Sequence, residues 1–203
     1  AFELLYLMNP LSNYYTQNIS DFRKGLTNIL TKHDQLIDND YIVTGVPNSG
    51  IVYAKEYAKL KNLQYSQCIE KRGNKLNGSD RTFIILDEKE RIEACRKKFI
   101  PVYSKIFNKK IIIIDDTIVR GNVIKQIISD FKKCGAKEIH IRIPSPPVVD
   151  ICELGISIQS CDELIMNNNT VDDVRKILEV DSSNGIQITP SIGDGKSKIK
   201  KTG

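Results

Sequence analysis

The chain predicts an α/β fold with a central, mainly parallel sheet, helices on both faces and a small hood. Three observations carry this. Short apolar runs alternate with amphipathic segments through the middle of the sequence. Residues 111–114 are four consecutive isoleucines, the composition of a strand buried on both faces. Two such runs are each followed by a polar turn and a helical stripe, the order expected of strand-loop-helix units. With 203 residues and 40% hydrophobic content, one such domain with a sizeable core can form.

Taken in order, residues 1–32 supply a strand-like start and a helix capped by Ser20. Residues 41–46 form a buried strand, 47–50 a turn, and 51–60 a helix with Ile51, Ala54, Tyr57 and Ala58 on one stripe. Residues 70–82 stand outside the alternation as a polar stretch with Lys71, Arg72, Lys75, Arg81 and two glycines. After the isoleucine strand, Val123, Ile124, Ile127, Ile128 and Phe131 share a helix face, and Lys132, Lys133 and Gly135 end that helix. Residues 138–143 alternate like a strand that Pro144, Pro146 and Pro147 stop. Short helices at 161–166 and 171–178 and a brief strand at 186–189 complete a domain spanning 1–190.

Of the formal charge of +5, residues 191–203 hold +3, from four lysines against Asp194. About +2 remains for the rest, which argues against nucleic acid as a partner. The last thirteen residues lack an apolar period and predict a basic, disordered tail. No run approaches the roughly 18 apolar residues of a membrane span, and the start lacks the regions of a signal peptide, so a cytoplasmic protein is expected. Cysteines at 68, 95, 134, 152 and 161 include no Cys-x-x-Cys pair and only two histidines accompany them. Neither a disulfide framework nor a zinc site follows, and carboxylates are the better metal ligands.

Asp115 and Asp116 stand where ligands of open α/β sheets bind, at the carboxyl end of a strand. The loop 117–122 behind them lies at a helix N-terminus, where free N–H groups suit a phosphate. Adjacent carboxylates repel unless cations or hydroxyl donors offset their charge, which a ribose diol and hydrated magnesium would do. The alternative is that the pair only caps the helix. The whole string of residues 111–121, with four isoleucines, two acids, Thr117 and Arg120-Gly121 at fixed spacing, favours a ligand site.

That string resembles the phosphoribosyl pyrophosphate (PRPP) signature of type I phosphoribosyltransferases. Its form Asp115-Asp116-Thr117-Ile118-Val119-Arg120-Gly121 is similar to that of the glutamine PRPP amidotransferases. Phe2-Glu3, Pro10-Leu11-Ser12, Arg81-Thr82-Phe83-Ile84, the segment 135–142, Ser145-Pro146-Pro147, Cys152, Gly155-Ile156 and Glu163-Leu164-Ile165 run in that family's order, so the resemblance covers about residues 1–188.

The resemblance implies a type I phosphoribosyltransferase fold and displacement of pyrophosphate from PRPP by ammonia, giving 5-phosphoribosylamine for purine synthesis. Asp115, Asp116 and Ser49 would hold Mg2+, the acids also meeting the ribose hydroxyls. The backbone of Asn48, Ser49 and Gly50 would cradle pyrophosphate. Thr117, Ile118, Val119, Gly121, Asn122 and Val123 would hold the 5′-phosphate with Arg120 nearby, and Arg72 and Arg81 would close over the leaving group as catalytic residues. A homo-oligomer is implied, and PRPP and a nitrogen nucleophile are the partners. The chain begins where the family's glutaminase domain ends, so no glutaminase activity of its own is expected and a separate protein could supply ammonia.

Departures from the pattern qualify the reaction. Residues 70–82 replace a shorter catalytic loop and lack its aromatic residue, Asn48 replaces an acid, and Val123 stands where a threonine donates a hydroxyl to phosphate. Losing that bond to an ionised phosphate costs about 1–3 kcal/mol. Cys152 matches an iron-sulfur ligand of some members without its partner cysteines, and an ordinary buried thiol is expected. Two alternatives stay open: nucleobase salvage, with Tyr14 and Tyr15 as stacking candidates, and a non-catalytic PRPP sensor.

Overall fold

The computed structural model describes residues 3–34, 39–72, 98–150, 158, 160–181 and 186–188. A π-helical turn, Glu3–Leu7, leads into a small ribbon of β1 (Asn13–Tyr14) against β2 (Gln17–Asn18), then α1 (Ile19–His33). β3 (Tyr41–Gly45), α2 (Gly50–Leu60) and β4 (Gln64–Tyr65) form the first parallel unit. A second ribbon pairs β5 (Ile69–Lys71) with β6 (Phe99–Pro101), and α3 (Tyr103–Ile106) leads to β7 (Lys110–Ile114). α4 (Asn122–Lys133), β8 (Glu138–Ile143), a 3-10 turn at Cys161–Glu163, α5 (Val171–Leu178) and β9 (Ile186–Ile188) follow.

The central sheet has five parallel strands in the order β4-β3-β7-β8-β9. Its middle strand is the isoleucine run. Ile112 and Ile114 pack with Leu30 of α1 and Tyr53, Ala54, Tyr57 and Ala58 of α2, while Ile111 and Ile113 pack with Ile124, Ile127, Ile128 and Phe131 of α4 and Val174 of α5. Helices therefore cover both faces, and each fully buried isoleucine contributes about 1.5–3 kcal/mol. No helix among the described residues is long and apolar enough to cross a membrane.

Three expected elements differ. Residues 3–7 turn instead of extending, because side chains from distant helices take their carbonyls. Arg23 donates to Leu4 O at 3.0 Å and to Met8 O at 2.9 Å, and the Tyr53 hydroxyl donates to Leu5 O at 3.0 Å. The cap of α1 is Asn18, whose side chain accepts the backbone N–H groups of Ser20 and Asp21. Ser20 is thus a donor to the cap. Of the helix expected at 161–166, only Cys161–Glu163 is helical, and Asn169 Nδ2 bonds Ile165 O at 2.9 Å to shape the turn that follows. Residues 189–203, and with them the basic tail, lie outside the described residues.

β8 shows why its polar alternation survives burial on both faces. His140 bonds Glu138 Oε1 at 2.5 Å, and Arg142 Nε donates to Asp34 Oδ2 at 2.6 Å with both side chains fully buried. The Tyr57 hydroxyl donates to the same Asp34 oxygen, joining α1, α2 and β8 in the core. Breaking one partner of such a pair leaves an uncompensated buried charge. Asp34→Ala is expected to lower stability by about 3–5 kcal/mol, whereas Asp34→Ala with Arg142→Met recovers at least half of that loss. Urea denaturation followed by circular dichroism checks both values.

Candidate functional site

The sheet delivers Asp115 and Asp116 to its carboxyl edge, directly after Ile114. Asp115 N–H donates to Arg142 O at 3.3 Å, and Asp115 Oδ1 accepts Asp116 N–H at 2.9 Å. Asp116 is only 3% exposed, and its Oδ2 has no hydrogen-bond partner among the described residues. Burial, and then the charge of Asp116, hold the Asp115 carboxyl well above the usual carboxylate range. Burial raises Asp116 as well, against the nearby positive charge of Arg23. The pair does not cap α4: that helix starts at Asn122 with Gly121 as its N-cap. A half-buried acid beside a buried one whose Oδ2 is unpartnered among the described residues suits a cation or hydroxyl donors.

The donor set fits magnesium. No cluster of three or more His, Cys, Asp or Glu side chains exists among the described residues, so these offer few ligands beyond the acid pair. Magnesium keeps waters and takes oxygens from phosphate ligands, needing only one or two carboxylates. Ser49 occupies the N-cap position of α2 without making a side-chain capping bond, which leaves its hydroxyl for such a role.

β3 aligns with β7 so that Gly45 is opposite Ile114, and Val46 N–H donates to Ile114 O at 2.9 Å. The following turn therefore lies beside the acid pair. Within it the Pro47-Asn48 peptide is cis, Asn48 is exposed, and Gly50 N–H donates to Val46 O at 2.9 Å. A Cβ on Gly50 would stand 2.5 Å from Ile114 O and 3.3 Å from Asp115 Cα, so only glycine allows α2 to begin this close to the acids. Gln67 supports the strand end: its Nε2 donates to Gly45 O at 2.9 Å.

Beyond the acids, Thr117 to Gly121 form the loop into α4. Ile118 turns into the core at 4% exposure, and Val123 packs against the same core from the first turn of the helix. Gly121 adopts φ +80, a left-handed conformation that glycine takes without strain. The N–H groups of the first turn, including those of Asn122 and Val123, have no intrahelical acceptors, which makes this end suited to an anion. Arg120, which lines the cavity at this loop, is paired there: its Nε and Nη2 both meet Glu163 Oε2 at 2.5 Å. That cavity, of about 520 Å³, also has Asn122, Lys125, Glu163 and Leu178 in its walls.

Arg72 is exposed at the end of β5, and its N–H donates to Lys98 O at 2.9 Å. The Lys98 charge acts on Asp115 against the effect of its burial. Arg81 and Cys152 lie outside the described residues. Tyr14 and Tyr15 are exposed and meet each other edge to face at 4.8 Å, with no parallel slot between them for a base. Residue-level reading missed Lys98, Arg23, Tyr53 and Gln67. Arg23 had a signal, since it shares the buried stripe of α1 with Ile19, Thr27 and Leu30; Lys98 had none.

No family model matches the chain. Sequence relatives do: it is 34% identical over 181 residues to the amidophosphoribosyltransferase of Methanocaldococcus jannaschii, 35% identical over 182 residues to that of Synechocystis, and 32% identical over 182 to that of Bacillus subtilis. These alignments cover 89%, 90% and 90% of this chain and 37%, 36% and 37% of the relatives. The chain thus spans little more than a third of their length. Among solved structures, glutamine PRPP amidotransferase from B. subtilis, complexed with ADP and GMP, superposes with TM-score 0.75 at 29% identity, over 93% of this chain and 39% of that one. A structure of the allosteric regulatory enzyme of purine biosynthesis also gives 0.75, at 31% identity over 94% and 39%. The parallel sheet and these neighbours together show the type I phosphoribosyltransferase fold.

The contact of Gly50 with Ile114 O generates one expectation. Both neighbours are backbone, so Gly50→Ala must push the turn away from the acids. A stability loss of about 1–3 kcal/mol is expected from the overpacking. Thermal unfolding at neutral pH, compared with a Gly25→Ala control where a Cβ meets nothing within 4 Å, checks it.

Proposed function

We propose, for a chain related to the amidophosphoribosyltransferases over the third of their length that it spans, a magnesium-dependent displacement of pyrophosphate from PRPP by ammonia, giving 5-phosphoribosylamine. The observation that carries this reading is the acid pair in which Asp116 is buried and its Oδ2 is unpartnered among the described residues, set between the turn at Gly50 and the loop into α4. In the reaction the C1–N bond forms as the C1–O bond to pyrophosphate breaks, and the resulting ammonium group loses a proton to solvent. Magnesium, when bound, offsets charge on the leaving pyrophosphate.

The residues of the chain bind and orient. Asp115 and Asp116 hold the ribose hydroxyls, the backbone of Asn48, Ser49 and Gly50 holds pyrophosphate, and Thr117 to Val123 hold the 5′-phosphate. Arg72 and Arg81 close on the leaving group, where positive charge favours the transition state. Positioning does the work, and no protein nucleophile is required. Ammonia comes from solution or from a glutaminase outside these residues.

One observation favours a second reading, a PRPP sensor: Val123 packs into the core and offers no hydroxyl to phosphate. Pyrophosphate release from PRPP separates the two. With magnesium, release is expected to rise with ammonia, not with adenine, hypoxanthine or guanine, and to fall about 100-fold or more in Asp116→Asn. PRPP binding by calorimetry with no release under any condition would establish the sensor instead.

A further inference from the structure

The segment 161–166 grips the loop into α4 at three consecutive residues. Ile165 N–H donates to Val119 O at 2.8 Å. Glu163 Oε2 receives two guanidinium nitrogens of Arg120, each at 2.5 Å, and the two side chains are only 24% and 11% exposed. Gly121 lies so close to Ile165 that a Cβ there would stand 2.7 Å from its Cδ1. The gripping segment is itself fixed, by the bond from Asn169 Nδ2 to Ile165 O and by the capping box of Thr170 and Asp173 that starts α5 behind it.

From this geometry we infer that Glu163 is a positioning residue for the 5′-phosphate subsite, acting through Arg120 on the loop that would receive the phosphate. The inference rests on the PRPP-binding reading above and assigns Arg120 a different task from the one its place in the motif implies. A guanidinium shared between two bonds to one carboxylate oxygen is held in place, with its charge balanced. Arg120 then acts as the anchor of the loop, and the phosphate is left to the backbone N–H groups and the helix end. The Val119 carbonyl is turned toward Ile165 in the same way, which keeps an acceptor oxygen from facing an anion. Because three successive residues are held, the loop is preorganised, and little ordering is left for the ligand to impose.

Calorimetry with two probes tests this on the full chain. Ribose 5-phosphate reports on the 5′-phosphate subsite, and magnesium pyrophosphate reports on the turn at Gly50. Glu163→Gln, which keeps the side-chain shape, is expected to weaken ribose 5-phosphate about tenfold, the size of a lost charge-assisted bond, and to leave pyrophosphate within twofold. Arg120→Glu with Glu163→Arg is expected to restore most of the loss. If Glu163→Gln binds ribose 5-phosphate as the unmodified chain does, or weakens both probes equally, the positioning role is overturned. It is also overturned if Arg120→Ala loses far more than Glu163→Ala and the charge swap restores nothing, since Arg120 would then touch the phosphate itself. An unmodified chain that binds pyrophosphate and PRPP but not ribose 5-phosphate sinks this inference alone. One that binds none of the three sinks the PRPP reading and the inference with it.

Discussion

The register of β3 against β7 is the constraint on which the candidate site depends. Gly45 opposite Ile114 ends both strands at one level, and Val46 N–H closes on Ile114 O. The turn after β3 and the acids after β7 therefore leave the sheet side by side, and Gly50 brings α2 onto the Ile114 carbonyl. A slip of one residue would invert the faces of the strand and place Asp115 where Ile114 now packs. The isoleucine run forbids that slip, since Ile112 and Ile114 fill one core and Ile111 and Ile113 the other. Hydrophobic packing thus sets the position of the carboxylates more firmly than any bond the carboxylates make.

Charge is distributed around that frame in layers. Asp116 is buried, Asp115 is half-buried, and the two repel each other, while positive charges oppose them: Arg23 acts on Asp116 and Lys98 on Asp115. Arg23 spends its donors on the carbonyls of Leu4 and Met8, so the turn at Glu3–Leu7 is part of the structure backing the acids. Tyr53 completes that backing through Leu5 O, and its burial, with the acid charge added, keeps its hydroxyl protonated as a donor. Among the same two helices Arg142 is balanced by Asp34, while its carbonyl takes the Asp115 N–H. Its side chain supports the core, and its backbone supports the site.

What the sequence made legible follows from range. The isoleucine strand, its helix and the acids after it are encoded by neighbours within one strand-loop-helix unit, and the α/β class, the parallel sheet and the helices on both faces are visible there. The start at residues 3–7 was not, because the partners that turn it, Arg23 and Tyr53, lie 15 to 48 residues away in the chain. Arg120 shows the same limit within the motif itself. Its place in the string implies phosphate, but its direction is decided by Glu163, 43 residues on. Spacing reveals which residues share a loop; it does not reveal which way an arginine turns when a carboxylate arrives from elsewhere.

The departures at Asn48 and Val123 become consistent with one another in this setting. Asn48 is exposed on a turn whose position is set by the Gly50 contact and by the Val46 bond, so its side chain is free to lose an acid without moving the backbone. Val123 fills core space at the start of α4, and packing there secures the helix whose N–H groups face the loop. Both changes leave intact the parts of the site made from backbone, while each lacks a side-chain group that the resemblance leads one to expect there. A binding surface built from strand ends and helix starts tolerates such changes because its donors belong to every residue type. On the proposed reading, chemistry that needs a particular side chain falls instead to Asp115, Asp116, Arg72 and Arg81, and it is there that function is expected to be sensitive.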